Sequence, residues 1–259
     1  MKEHLYQLQT SGYTFLRGAI STAPLDALRA GVDKLLQEDD ATWGAERLEA
    51  MGQRGALRNL CDAGAPFVEL LVNSPVYPIV DQMLENGYIL HSYDGLVLLP
   101  GYGRFPWDFH TDFSPLAGVG FPGNRTFGIN CLYYLDDATE ENGATWLVPA
   151  SHRCVLPAPA AEDLAQLACQ TIGRAGDVLL FDARIWHCAG ENRSQQARRL
   201  IKVLYCSSWL RPQMDYARAV SAGVRSRLDA RTLNLLGVGV APPATVEELR
   251  ERLSQRARP

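Results

Sequence analysis

No stretch of the chain approaches the roughly 18 consecutive apolar residues that a membrane-spanning helix needs. The start, Met1-Lys2-Glu3-His4, lacks the basic-then-apolar run of a secretory leader. These two absences predict a cytoplasmic protein that stays off the membrane. Clustered basic charge is missing as well: 25 Lys and Arg are scattered among 29 Asp and Glu, giving a formal charge of -4 and a pI near 5.8. A nucleic-acid surface requires a concentrated positive field, so no nucleic-acid partner is expected. Cysteine is sparse, and Cys61, Cys131, Cys154, Cys169, Cys188 and Cys206 include no Cys-x-x-Cys pair. That spacing favours reduced, mostly buried thiols over a zinc site or a disulfide framework. Repeats, linkers and low-complexity tracts are absent.

What is present is an ordinary globular composition, 259 residues with 47% hydrophobic and 21% charged. This length and composition fit one domain. Its first part, about residues 1–90, reads as helical. Ser21-Thr22-Ala23-Pro24 precedes Leu25, Leu28, Val32, Leu35 and Leu36 at helical spacing, and further helical runs follow Pro66 and Pro75. From about residue 91 to 210 the pattern changes to short runs rich in aromatic and β-branched residues, over 96–99, 105–109, 127–135, 145–148, 178–181 and 200–206. Many short strands without interleaved helices indicate a mainly β core, most economically a jelly roll, with flanking helices. The remainder, about 211–259, returns to helical spacing, with Thr245-x-x-Glu248 as a capping box.

The chemistry is concentrated in a few places. His110 and Asp112 are two residues apart after an aromatic run, so on a strand both would project from one face. His187 ends a second apolar run, Val178-Leu179-Leu180-Phe181-Asp182-Ala183-Arg184-Ile185-Trp186-His187. Two neutral imidazoles and one carboxylate leave three positions of an octahedron open, which suits non-haem Fe(II) and oxygen activation. Zinc more often takes a closed set or keeps one open site. A plainer reading stands beside this one: with five histidines, a single His-x-Asp is unremarkable, and a strand-end histidine is often a hydrogen-bonded core residue.

Several separate stretches, in order, resemble the phytanoyl-CoA dioxygenase family. They are Gly12-Tyr13-Thr14-Phe15-Leu16-Arg17-Gly18; Pro106-Trp107-Asp108-Phe109-His110-Thr111-Asp112-Phe113; and Asp137-Ala138-Thr139-Glu140-Glu141-Asn142-Gly143-Ala144-Thr145, continuing through Trp146 to Pro149-Ala150-Ser151-His152-Arg153. Gly176-Asp177-Val178-Leu179-Leu180-Phe181-Asp182 leading to His187, and Gly190-x-Asn192 leading to Arg198, complete the series. The resemblance implies a double-stranded β-helix, an iron held by His110, Asp112 and His187, and 2-oxoglutarate and O2 as co-substrates. It implies hydroxylation of a small-molecule substrate with release of succinate and CO2. The family's basic residue lies eleven positions beyond the distal histidine, which falls on Arg198. A guanidinium with its bidentate fork suits the distal carboxylate of 2-oxoglutarate, and the adjacent Arg199 would point the other way. Because Asp112 is retained, halogenation, for which relatives replace this carboxylate with a small residue, is disfavoured.

Asn130 has the parity of an inward residue and is a candidate to hydrogen-bond 2-oxoglutarate, with pairing to backbone as the alternative. Ala189 stands where relatives often place a serine that helps bind the co-substrate. His152 reads as turn structure, not as a ligand. Gly118-x-Gly120-x-x-Gly123 formally matches a dinucleotide fingerprint, but Pro122 interrupts it and a strand follows. The Gly/Pro-rich stretch 114–126 reads as a lid over substrate, and Trp107, Tyr133, Trp186 and Trp209 as candidate pocket lining. Two other functions fit the same residues, a non-catalytic metal- or ligand-binding protein on this fold and a zinc-dependent hydrolase. Arg198 counts against both. Neither the substrate nor an oligomeric state is specified by the sequence.

Overall fold

The computed structural model describes the chain except residues 86, 114–125, 155–159, 239–242 and 257–259. The proposed lid, apart from Thr126, and the dinucleotide-like glycines with Pro122 therefore lie outside the described residues.

Helix α1 (Lys2–Thr10) and strand β1 (Tyr13–Leu16) open the chain, followed by α2 (Thr22–Trp43), α3 (Ala45–Ala50) and the short β2 (Ala56–Leu57). Helices α4 (Ala65–Val72) and α5 (Tyr77–Leu84) then lead into the long β3 (Tyr88–Leu98). The rest of the β core is β4 (Gly128–Tyr134), β5 (Trp146–Leu147), β6 (Cys169–Gln170), β7 (Val178–Asp182), β8 (His187–Cys188) and β9 (Arg198–Ser207). Six strands make an antiparallel sheet in the order β1-β7-β4-β9-β3-β2, and three make a second sheet in the order β6-β5-β8. The two sheets form a double-stranded β-helix. Strands β1 and β2 come from the part of the chain that reads as helical, so the large sheet draws both of its edges from the N-terminal region.

Side-chain alternation explains why the central strands are apolar throughout. On β7, Val178 and Leu180 join the core under the helices, while Leu179 and Phe181 join a second core between the sheets. On β4, Ile129, Cys131 and Tyr133 face the helices, and Leu132 and Tyr134 face inward. The helices cover the outer face through periodic apolar stripes, for example Leu25, Leu28 and Val32 of α2. On the inner face of β9, Arg198, Leu200, Lys202 and Leu204 follow one another at a period of two, so two cations are carried into the interior on one strand.

Two details differ from the sequence expectation. The segment 105–109 is a turn, not a strand: Pro106 has no amide hydrogen to give a ladder, and Trp107 N–H donates to the Arg104 carbonyl at 2.6 Å. The aromatic residues do not line one pocket either. Tyr133 is fully buried in the outer core with its hydroxyl on Ser74, whereas Trp107 and Trp209 are exposed. The expected terminal helix is present (Val246–Arg256). There the Thr245 hydroxyl accepts from Glu248 N–H, and the Glu248 carboxylate accepts from Ala244 N–H, one residue earlier than in a standard capping box.

Candidate metal and co-substrate site

The two histidines are brought together by the backbone. His110 N–H donates to the His187 carbonyl and His187 N–H to the His110 carbonyl, both at 3.0 Å, an isolated antiparallel bridge that closes the barrel at this point. Asp112 N–H in turn donates to the Ala183 carbonyl at 3.0 Å. As a result one ligand atom from each of His110, Asp112 and His187 lies within 4.8 Å of the others.

The hydrogen bonds place a proton on the same nitrogen of both rings. His110 Nδ1 lies 2.9 Å from the Asp108 carbonyl, and His187 Nδ1 lies 2.9 Å from the Ile185 carbonyl. A carbonyl can only accept, so each Nδ1 carries a proton, and the lone pair of a neutral ring then lies on Nε2. Burial pushes the His187 imidazole down to about 4, with His110 adding to the effect and Asp112 opposing it, so the ring is neutral at physiological pH. Burial works against ionisation of Asp112, but Lys202, His187 and the hydrogen bonds from Lys202 and Asn130 hold its carboxyl well below the usual range. Two imidazole nitrogens and a carboxylate is a donor set that suits a divalent cation.

Asn130 faces the cavity, as its parity on β4 predicts. Its Nδ2 donates to Asp112 Oδ2 at 2.8 Å, so its first partner is the ligand carboxylate and not backbone. The amide keeps its second N–H, and it lines the cavity that runs from the triad. Lys202 was not singled out by the sequence. Its ammonium donates to Asp112 Oδ1 at 2.8 Å, so both oxygens of the carboxylate are held from the large sheet. The parity of Lys202 with Arg198 within an apolar run was the signal that could have found it.

Arg198 is 3% exposed and forms no ion pair with a carboxylate among the described residues. Its Nε and one Nη donate to the carbonyls of Asn142 and Gly143, at 3.1 and 2.8 Å, which leaves part of the guanidinium fork unspent. Desolvation pulls this group's pKa below its ordinary value. Arg199 points the opposite way, to Asp136 and Asp33. Between Arg198 and the triad runs a cavity of about 270 Å³, walled by Leu132, Thr145, Phe181, Ala189 and Leu200. It is therefore a mostly apolar slot with a buried cation at one end and metal-ligand atoms at the other.

Close backbone approach sets the Arg198 end. Gly143 has φ +76°, and a Cβ there would lie 2.5 Å from the Gly190 carbonyl oxygen; a Cβ on Gly103, φ +96°, would lie 2.0 Å from the same oxygen. Gly143→Ala is expected to lower unfolding stability by about 3 kcal/mol through left-handed strain and this contact. Because the Gly143 carbonyl holds Arg198, it should also weaken 2-oxoglutarate binding. Urea unfolding and co-substrate titration of the variant test the two effects separately.

Comparison with known proteins agrees with this geometry. The family model for phytanoyl-CoA dioxygenase (PhyH) matches residues 8–200. Protein Rv1501 of Mycobacterium tuberculosis is 31% identical over 236 residues, covering 89% of this chain and 84% of its own. The dioxygenase FUM3 of Gibberella moniliformis is 31% identical over 243 residues, covering 88% of this chain and 79% of its own. Among solved structures, HygX from Streptomyces hygroscopicus, with nickel and 2-oxoglutarate bound, superimposes with a TM-score of 0.66 at 16% identity, over 87% of this chain and 94% of that one. No helix among the described residues is long and apolar enough to cross a membrane. By the extent of the family match and the identity to these relatives, the chain belongs to the phytanoyl-CoA dioxygenase family, the iron- and 2-oxoglutarate-dependent dioxygenases.

Proposed function

We propose that the chain works as one oxygenase domain that hydroxylates an unactivated C–H bond of a small organic molecule. In it His110, Asp112 and His187 hold Fe(II), and Arg198 takes the distal carboxylate of 2-oxoglutarate. The observation that carries this reading is the cluster of ligand atoms of His110, Asp112 and His187 within 4.8 Å of one another, with each histidine's Nδ1 held by a backbone carbonyl so that Nε2 is the nitrogen left for a metal. When bound, iron, 2-oxoglutarate and O2 supply the oxidising chemistry, with succinate and CO2 as by-products.

The protein's own contribution is orientation and exclusion of water. Ile185 and Asp108 hold the imidazoles by their backbone carbonyls, and Lys202 and Asn130 hold the carboxylate, so the donor atoms need little reorganisation on metal binding. Arg198, already desolvated, offers a dianionic ligand a full charge at the far end of the slot. Leu132, Phe181 and Leu200 keep the middle of the slot dry. Asn130, with one N–H committed to Asp112, can present the other to the co-substrate. A hydrolase would have no use for a buried arginine without a carboxylate partner.

The test is anaerobic addition of Fe(II) and then 2-oxoglutarate to the metal-free protein. A visible charge-transfer band, absent in His110→Ala and weakened in Arg198→Ala, is the expected result. No band, with zinc retained tightly instead, would overturn the reading in favour of the hydrolase.

A further inference from the structure

Lys202 introduces a charge that neither the metal nor the co-substrate balances. It lies on the inner face of β9 at the level of the triad, with its side chain 22% exposed and lining the cavity, and among the described residues its ammonium pairs with Asp112 alone. An ammonium has three N–H donors, so others remain for a ligand. Its cross-strand neighbour on β3, Asp94, is bound to Arg58 at 2.9 Å, and that pair is neutral as a unit. At the mouth, Arg54 is paired with Asp40 and Glu49, and Asp108 is exposed to solvent. None of the residues outside the described set is an aspartate or a glutamate.

With the site loaded as proposed above, the divalent iron, Arg198 and Lys202 contribute four positive charges. Asp112 and the 2-oxoglutarate dianion contribute three negative ones. One positive charge is left over in a slot whose walls are largely apolar, and an unbalanced charge there is unfavourable until a counter-charge arrives. The metal and the dianion cancel each other, so the surplus is already present in the empty site; metal binding concentrates it at Lys202, because Asp112 then shares its single negative charge between the metal and the ammonium held on its Oδ1.

We infer that Lys202 is a substrate-anchoring residue and that the substrate is an organic acid whose carboxylate sits beside the triad on the Lys202 side. This rests on the oxygenase reading and goes further by naming the substrate class. An anchored carboxylate would also limit which carbons can face the metal, giving Lys202 a part in positional selectivity.

The probes are matched acids and primary amides: hexanoate and hexanamide, benzoate and benzamide, indole-3-acetate and indole-3-acetamide. Each is titrated calorimetrically into the full chain loaded with Ni(II) and 2-oxoglutarate, which does not turn over. The expected result is that at least one acid binds about tenfold or more tightly than its amide. That preference, measured on the fraction of protein that holds Ni(II) and 2-oxoglutarate, should vanish in Lys202→Met and return at least partly in Lys202→Arg. Equal binding of acids and amides, or no acid binding to protein that does hold 2-oxoglutarate, overturns the proposal. So does a Lys202→Met variant that weakens metal binding but keeps the acid preference, which would make Lys202 only a support for Asp112. Failure of the wild-type protein to take up Ni(II) and 2-oxoglutarate at all would instead count against the oxygenase reading.

Discussion

Replacing Arg198 with glutamine is expected to raise the 2-oxoglutarate concentration needed for half-maximal turnover by about a hundredfold to a thousandfold. Truncating one partner of a buried, hydrogen-bonded charge pair costs about 2–5 kcal/mol, and each 1.4 kcal/mol is a factor of ten. Screening will not soften the effect, because the residue is 3% exposed. Glutamine keeps a donor for the Asn142 or Gly143 carbonyl, so the loss should fall on co-substrate binding more than on folding. The check is succinate release as a function of 2-oxoglutarate, with thermal unfolding of the same variant alongside. An unchanged half-saturation point would mean that the co-substrate carboxylate goes elsewhere. Arg199→Gln is the matched control: its side chain is held by Asp136 and Asp33 on the opposite face, and it should leave co-substrate binding within about twofold.

Asp112→Asn is expected to reduce turnover by about a thousandfold or more. The side chain keeps its shape, but the site loses the one negative ligand that offsets a divalent cation, and metal electrostatics contribute several kcal/mol to such chemistry. The substitution also leaves the Lys202 ammonium facing a neutral amide, and the Asn130 N–H loses an ionised acceptor. Metal content after dialysis, read by elemental analysis, separates the two ways of losing activity. A protein that retains its iron and still fails to turn over would point to positioning, and one that loses iron would point to affinity. Wild-type rates with Asn at this position would remove Asp112 from the metal site altogether.

Much of the site is legible in the sequence because His187, Arg198, Lys202 and Asn130 lie on strands, where parity is a reliable guide. Arg198 and Arg199 diverge as neighbours on β9 must, and the apolar run before His187 delivers that residue to the barrel interior. The helical stripe of Leu25, Leu28 and Val32 is similarly plain. Legibility fails where a residue's role depends on a partner distant in sequence. Asn130 meets Asp112 across 18 positions and Lys202 meets it across 90, and no local pattern announces either contact. Aromatic residues mislead for another reason. Tyr133, Trp107 and Trp209 all suit a pleated surface, and which face of which sheet they occupy is decided by register and by chain turns such as that at 104–107. Strand β1 escapes notice as a sheet edge because its pairing with β7 joins residues more than 160 positions apart.

The guanidinium of Arg198 rests on two peptide carbonyls instead of an acid, and under the role proposed for it this makes the ligand part of the protein's durability. A cation withdrawn from water without a full counter-charge weakens the folded state, and the dianion that relieves it binds only to that state. Mass action then stabilises the native fold by about 2.7 kcal/mol at a co-substrate concentration a hundred times its dissociation constant. The melting temperature of the protein should therefore track 2-oxoglutarate supply, and resistance to proteolysis should rise and fall with it. A cell rich in this metabolite would accumulate more of the enzyme from the same rate of synthesis.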